Sequence, residues 1–171
     1  LEASSAELVE KAGDHAELFA LSILTTDLVP KTVTTEVALS GGKVRITGIC
    51  KGSGMIHPNM ATMLGYILTD VELTTDVAQD FVRKAADVSF NMISVDGDSS
   101  TNDCVFLLAN GASGVKLADD ADYATFRDAL FSLSKLLAQS IARDGEGASK
   151  LIEVRIEGCH DLELARKAAR G

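Results

Sequence analysis

Residues 32–48 leave the chain little choice of local structure. Val33, Thr35, Val37 and Leu39 recur at every second position, Val44, Ile46 and Gly48 do the same, and Gly41-Gly42 lies between the two runs. Period-two alternation on either side of a glycine pair predicts a β-hairpin with a tight turn. A hairpin with one apolar face must bury that face against another layer, so the remaining elements have to supply one. The second strand leads directly into Lys51-Gly-Ser-Gly-Met-Ile-His-Pro-Asn-Met-Ala-Thr-Met-Leu64, fourteen residues holding a cation, a small-residue loop, a Pro turn and an Ala61-Thr62 bond.

Elsewhere the pattern alternates between helix and strand. Ser4 or Ser5 is placed to cap a helical stretch over residues 4–24, which Gly13-Asp14 divides into two short helices and Pro30 prevents from continuing. Met63 to Val71 reads as a largely apolar strand. Thr74-Thr75-Asp76 caps a helix reaching about Ser89, with Val77, Phe81, Ala85 and Val88 on one face. Asn91 to Val95 is expected as a short strand, Asp96 to Asp103 as a polar loop, and Cys104 to Ala109 as a buried strand ending at the Asn110-Gly111 turn. A long helix over 122–142 carries the stripe Phe126, Leu130, Leu133, Leu137 and Ile141. Leu151 to Ile156 alternates like a strand, and Leu162 to Ala169 reads as a terminal helix. Helices and strands in this order predict a mixed α/β sheet packed in layers.

A chain of 171 residues with 46% apolar content suits one domain with a sizeable core. With 16 Lys and Arg against 25 Asp and Glu, the net charge of −9 argues against nucleic acid or an anionic membrane as main partner. No apolar run approaches a membrane span, and the acidic start has no signal-peptide pattern. Cys50, Cys104 and Cys159 are far apart, lack metal-ligand spacing and are expected to be small buried hydrophobes in a reducing compartment. The first residue is Leu rather than Met, so a processed chain or a fragment is expected.

Thr62 is the candidate nucleophile. Gly52 and Gly54 permit close backbone approach, Pro58 biases His57 to an extended conformation, and Ala61 leaves the carbonyl before Thr62 sterically open. Attack of the Thr62 hydroxyl on that carbonyl gives an ester, which water then breaks. The freed threonine carries its own base, an α-amine with a pKa of about 7.7–8.0. His57 lacks an acid partner and reads as a turn residue. Asp96 to Asp103 fails as a calcium loop because Thr101 stands where the sharp-turn Gly is required, and Gly145-Glu-Gly-Ala-Ser-Lys150 fails the P-loop spacing.

The fourteen-residue stretch resembles the signature of the glutamate N-acetyltransferase (ornithine acetyltransferase) family of arginine biosynthesis. The resemblance continues through Ser89-Phe-Asn91, Val95-Asp-Gly-Asp-Ser-Ser-Thr-Asn-Asp103, Leu107-Leu-Ala-Asn-Gly111 and Arg143-Asp-Gly-Glu-Gly-Ala-Ser-Lys150, and begins at Ile23-Leu-Thr-Thr-Asp27. It implies self-cleavage between Ala61 and Thr62, with residues 1–61 ending an upstream chain and 62–171 beginning a downstream one. Thr62 would then carry an acetyl group from N-acetylornithine to glutamate, with no cofactor, some members of the family also accepting acetyl-CoA. The implied fold is the αββα sandwich of N-terminal nucleophile enzymes. Lys51 and Glu146 match substrate-contacting residues, as does Thr25, with Thr26 an equally placed neighbour.

Two parts of the family pattern are missing. Its oxyanion hole comes from an upstream Thr-Gly pair that nothing before Thr25 matches, and further substrate contacts come from a segment beyond Gly171. The chain therefore resembles the middle of a longer protein. Loss of an oxyanion donor costs about 10²–10³ in rate, so the segment alone is expected to be nearly inactive. Expected partners are the two small-molecule substrates, the upstream and downstream pieces of the precursor and further copies of the cleaved pair, in the cytoplasm, or in a mitochondrion or plastid of a eukaryote. An N-terminal nucleophile aminopeptidase or amidohydrolase, and an uncut structural or assembly subunit, are the alternatives.

Overall fold

The computed structural model describes residues 13, 15–57, 62–98 and 100–170. The helix expected ahead of Gly13 lies outside these residues; the one after it is α1, Ala16–Ser22. Strands β1 (Lys31–Leu39) and β2 (Gly42–Lys51) form the expected hairpin, paired antiparallel from Lys31↔Cys50 to Leu39↔Gly42. Strand β3 (Leu64–Thr69) returns antiparallel to β2, with Lys51 opposite Leu64. Helix α2 (Thr75–Asp87) and a 3₁₀ turn (Phe90–Met92) then carry the chain over to β4 (Cys104–Ala109), which lies parallel to β3. Helices α3 (Asp120–Arg143) and α4 (Leu162–Arg170) complete the described elements. The sheet order is β1-β2-β3-β4, and the molecule is a mixed α/β layer structure.

Alternation decides which face of the sheet is covered. Val44, Ile46 and Ile67 point to one side and are essentially inaccessible. There they join Phe126, Leu130, Leu133, Leu137 and Ile141 of α3, together with Phe81 and Ala85 of α2, in a single core. The side chain of Thr74 accepts from the Val77 N–H at 3.4 Å, and that of Asp119 from the Asp122 N–H at 2.9 Å, so both core helices begin at capped N-termini. Gly48 admits α3 to close range: a Cβ there would lie 2.5 Å from Leu137 Cδ1 and 2.7 Å from Leu133 Cδ2.

The opposite face is also apolar but largely open. Tyr66 stacks on Phe106 with ring centroids 5.5 Å apart, and Phe19 of α1 meets Tyr66 edge-on at 5.0 Å. Leu68, Phe106 and Leu108 remain exposed there. Within the described residues α2 and α3 thus form a helix layer on one face of the sheet, and α1 reaches the other through Phe19.

Two expected strands are absent. At 91–95 the chain forms the 3₁₀ turn that buries Phe90, and Val95 contributes a lone backbone bond to the Ile56 carbonyl at 2.8 Å. At 151–156 the alternating apolar residues meet no partner strand among the described residues, and Ile152 is 81% exposed. A strand without a neighbour leaves its backbone groups and apolar face in water, so alternation alone does not form one. The cysteine expectation holds for Cys50, whose thiol burial pushes up to about 12, but Cys159 is exposed. Among the described residues no helix is long and apolar enough to cross a membrane.

Candidate functional site

The site forms where β2 ends and β3 begins. Lys51 closes β2 opposite Leu64, and the residue is 9% exposed. Its Nζ donates to Thr25 Oγ1 at 3.4 Å. Thr26 instead shares a 2.5 Å hydrogen bond with Ser53 Oγ. The neighbouring threonines therefore face different partners, although both belong to the same loop.

That loop is held by a buried ion cluster. Lys31 Nζ donates to Asp27 Oδ1 and to Asp144 Oδ2, each at 2.6 Å, and all three side chains are nearly inaccessible. Asp27 Oδ1 also accepts the Gly52 N–H at 2.7 Å, while Asp144 Oδ2 accepts the Leu28 N–H at 3.0 Å. Burial alone would raise the Asp27 carboxyl; the Gly52 hydrogen bond and the Lys31 ammonium outweigh it and hold the group below its ordinary value. One cluster thus fixes the 25–28 loop, the start of β1, the exit of α3 and the first glycine of the central stretch.

The central stretch depends on its small residues. Gly52 has φ 153°, and a Cβ there would press within 3.2 Å of both Ile56 Cδ1 and Met63 Cβ. At Gly54 a Cβ would stand 2.8 Å from Glu146 Oε2, which places the Glu146 carboxylate directly over the loop. The Glu146 N–H donates to the Ser53 carbonyl at 2.6 Å, so the 145–147 turn is tied to the same loop through the backbone. Met55 adopts φ 56°, unusual for a long side chain, and Asp96 supports it by accepting the Met55 N–H at 2.6 Å and the Ile56 N–H at 2.9 Å. Burial raises the Asp96 carboxyl, but its several backbone donors prevail and lower it.

Thr62 sits just before β3. Its Oγ1 is buried and has no hydrogen-bond partner among the described residues. The next residue is clamped from β4: Asp103 Oδ1 accepts the Met63 N–H at 2.7 Å, and the Met63 carbonyl accepts the Cys104 N–H at 3.3 Å. Burial pushes the Asp103 carboxyl above its ordinary value, partly offset by the Met63 N–H and the Lys51 charge. Ala61 lies outside the described residues.

Lys51, Thr25, Glu146 and Thr62, all named from the sequence, therefore lie on segments converging at one end of β2 and β3. His57 is turned elsewhere, its Nδ1 3.2 Å from Ser94 Oγ. Sequence reasoning passed over Asp27, Lys31, Asp96, Asp103 and Asp144. Their partners stand up to 116 positions away in the chain, and no local pattern marks such pairs. The Asp96–Asp103 loop, expected only as a turn, supplies a carboxylate to each end of the central stretch. Among the described residues no group of side chains is arranged to hold a metal. A groove of about 470 Å³ between the 3₁₀ turn, α3 and residues 148–154 includes none of the site residues. It is bounded by the unpaired 151–154 segment.

Comparison with known proteins places the chain among its relatives. The chain is 49% identical over 172 aligned positions to the arginine biosynthesis bifunctional protein ArgJ of Symbiobacterium thermophilum, covering 99% of this chain and 42% of that protein. The ArgJ protein of Dehalococcoides mccartyi is 51% identical over 154 positions, 89% of this chain and 38% of its own length. A crystal structure of ArgJ from Bacillus halodurans aligns with 50% of this chain and 41% of its own, at 39% identity and a TM-score of 0.47. The chain spans about two fifths of the length of the curated relatives it matches. The ArgJ family profile matches residues 1–171, and the chain belongs to the ArgJ family.

Proposed function

We propose that this chain carries the nucleophile and part of the substrate site of an acetyltransferase that moves an acetyl group from N-acetylornithine to glutamate. The observation that carries the reading is the Thr62 hydroxyl, buried and unengaged among the described residues at the entrance to β3. Lys51 stands on the adjacent strand, and the Glu146 turn is bonded to the same loop. A cation and a carboxylate near one hydroxyl suit an amino-acid substrate, whose carboxylate and ammonium groups each need an opposite charge.

The reaction begins with self-cleavage at Ala61-Thr62, which divides the chain into residues 1–61 and 62–171. Thr62 Oγ then attacks the acetyl carbonyl, its proton passing to the Thr62 amine, and ornithine leaves with a proton on its nitrogen. The amine of glutamate attacks the resulting acetyl ester, giving N-acetylglutamate and restoring the hydroxyl. Lys51 holds the substrate carboxylate, Glu146 holds the side-chain ammonium of ornithine, and Thr25 borders the same site. No cofactor is needed, and acetyl-CoA is proposed as a second donor. The working assembly is taken to be a cytoplasmic oligomer of cleaved pairs, with small molecules as its substrates.

The test is two-substrate kinetics on the full-length protein, run beside Thr62→Ala. Parallel-line kinetics and complete loss of transfer in the variant are expected. A Thr62→Ala protein that still transferred acetyl groups would overturn the reading, as would release of free acetate with no dependence on glutamate.

A further inference from the structure

Self-cleavage poses a problem that acetyl transfer does not. Before the cut the Thr62 nitrogen is an amide and cannot serve as base, so the hydroxyl needs another proton acceptor. His57 is engaged with Ser94. Lys51 is a cation already donating to Thr25. The parallel register that pairs Leu64 with Cys104 sets Asp103 beside Met63, the residue after Thr62. One carboxylate oxygen, Oδ1, holds the Met63 N–H at 2.7 Å. The other, Oδ2, is buried and has no hydrogen-bond partner among the described residues, and the same is true of Thr62 Oγ1, so the two are not bonded to each other here and the transfer requires the Thr62 side chain to turn toward Oδ2. A buried carboxylate oxygen without a donor is costly, and such groups are uncommon unless they have work to do.

We propose that Asp103 is the proton acceptor for self-cleavage, using Oδ1 to fix the backbone beside Thr62 and Oδ2 to take the hydroxyl proton. The inference rests on the reading of Thr62 as a self-releasing nucleophile. In the step, the Thr62 hydroxyl proton passes to Asp103 and Oγ1 bonds to the Ala61 carbonyl carbon. As the Ala61–Thr62 C–N bond breaks, the proton passes from Asp103 to the departing nitrogen. The amide has then isomerised to an ester and Asp103 is again a carboxylate. Water hydrolyses the ester, leaving a carboxylate on Ala61 and a free hydroxyl and amine on Thr62. The raised affinity of Asp103 for a proton suits this role: burial is its main cause, and the Met63 N–H and the charge of Lys51, which reaches it from β2, offset it only in part.

The experiment follows cleavage of the freshly made full-length precursor by intact mass across pH, for wild type, Asp103→Asn and Asp103→Glu. Asparagine keeps an oxygen to accept the Met63 N–H but cannot take a proton, so it separates a structural role from a chemical one. Asp103→Asn is expected to melt with the wild type yet cleave about 10²-fold more slowly or worse. The wild-type rate is expected to fall on acidification through the Asp103 titration, the variant to lose that limb, and Asp103→Glu to recover part of the rate. Cleavage of Asp103→Asn at the wild-type rate and with the wild-type profile overturns the proposal while leaving Thr62 as nucleophile. Should the variant misfold, a wild-type rate independent of pH on the acid side overturns it equally. A wild-type precursor that never cleaves removes the reading of Thr62 as well.

Discussion

At the residue scale, the site is a set of charges arranged around one hydroxyl. Lys51→Met removes the cation proposed to hold the substrate carboxylate, and a hydrogen bond to a charged group contributes about 1.5–3 kcal/mol. The expected outcome is a kcat/KM lower by about 10- to 100-fold with cleavage intact, measured by steady-state transfer assays and intact mass. Gly54→Ala is expected to act indirectly. Its Cβ would meet Glu146 Oε2 at 2.8 Å, so the carboxylate must swing away, raising KM for the acetylated donor while thermal stability changes little. A variant with unchanged KM would show that the Glu146 position is not used. Lys51, Glu146 and Thr62 could be singled out from the sequence because each sits in a distinctive string of neighbours. It could not show Asp103 as more than part of a polar loop, since its partner, Met63, is 40 positions away.

At the scale of elements, packing and buried charge act through different residues. Gly48→Ala forces a methyl group against Leu133 and Leu137 of α3, and overpacking of this kind costs about 1–3 kcal/mol. A lower melting temperature with normal KM is expected, the reverse of Gly54→Ala. Lys31→Met leaves Asp27 and Asp144 buried without their shared cation, a loss of about 3–5 kcal/mol, measurable by denaturant unfolding. Asp27 also predicts a pH dependence. Its folded pKa is depressed below 3.8, so it contributes stability that is complete above the unfolded value and is lost as pH falls through the folded one. Melting temperature followed downward from pH 5 is therefore expected to fall less steeply in Asp27→Asn than in wild type, although the variant starts lower. The hairpin and the α3 stripe were legible because period two and the helical repeat are local signals. Residues 91–95 and 151–156 were not, because a strand is defined by its neighbour, and alternation says nothing about whether one is present.

At the scale of the whole molecule, the described residues cover one face of the sheet with α2 and α3 and leave the other largely open. Exposed Phe106, Leu108 and Leu68 beside the Tyr66–Phe106 stack form an apolar surface of the kind that promotes association. Residues 1–171 expressed alone are therefore expected to self-associate in light scattering, and a Phe106→Lys, Leu108→Lys double variant to do so less. The mixed α/β class was legible from the order of elements. The openness of this face was not, because strands with apolar residues on both sides read alike whether or not the second side is covered.

The central claim is that Thr62 becomes an N-terminal nucleophile. The most direct measurement is mass spectrometry of the full-length protein after brief exposure to N-acetylornithine without glutamate, with the downstream piece digested and sequenced. The account predicts a peptide that begins at Thr62 and carries one acetyl group on that residue, lost when glutamate is added. A chain still joined through Ala61-Thr62 but fully active, or an acetyl group trapped on any other side chain, would contradict it.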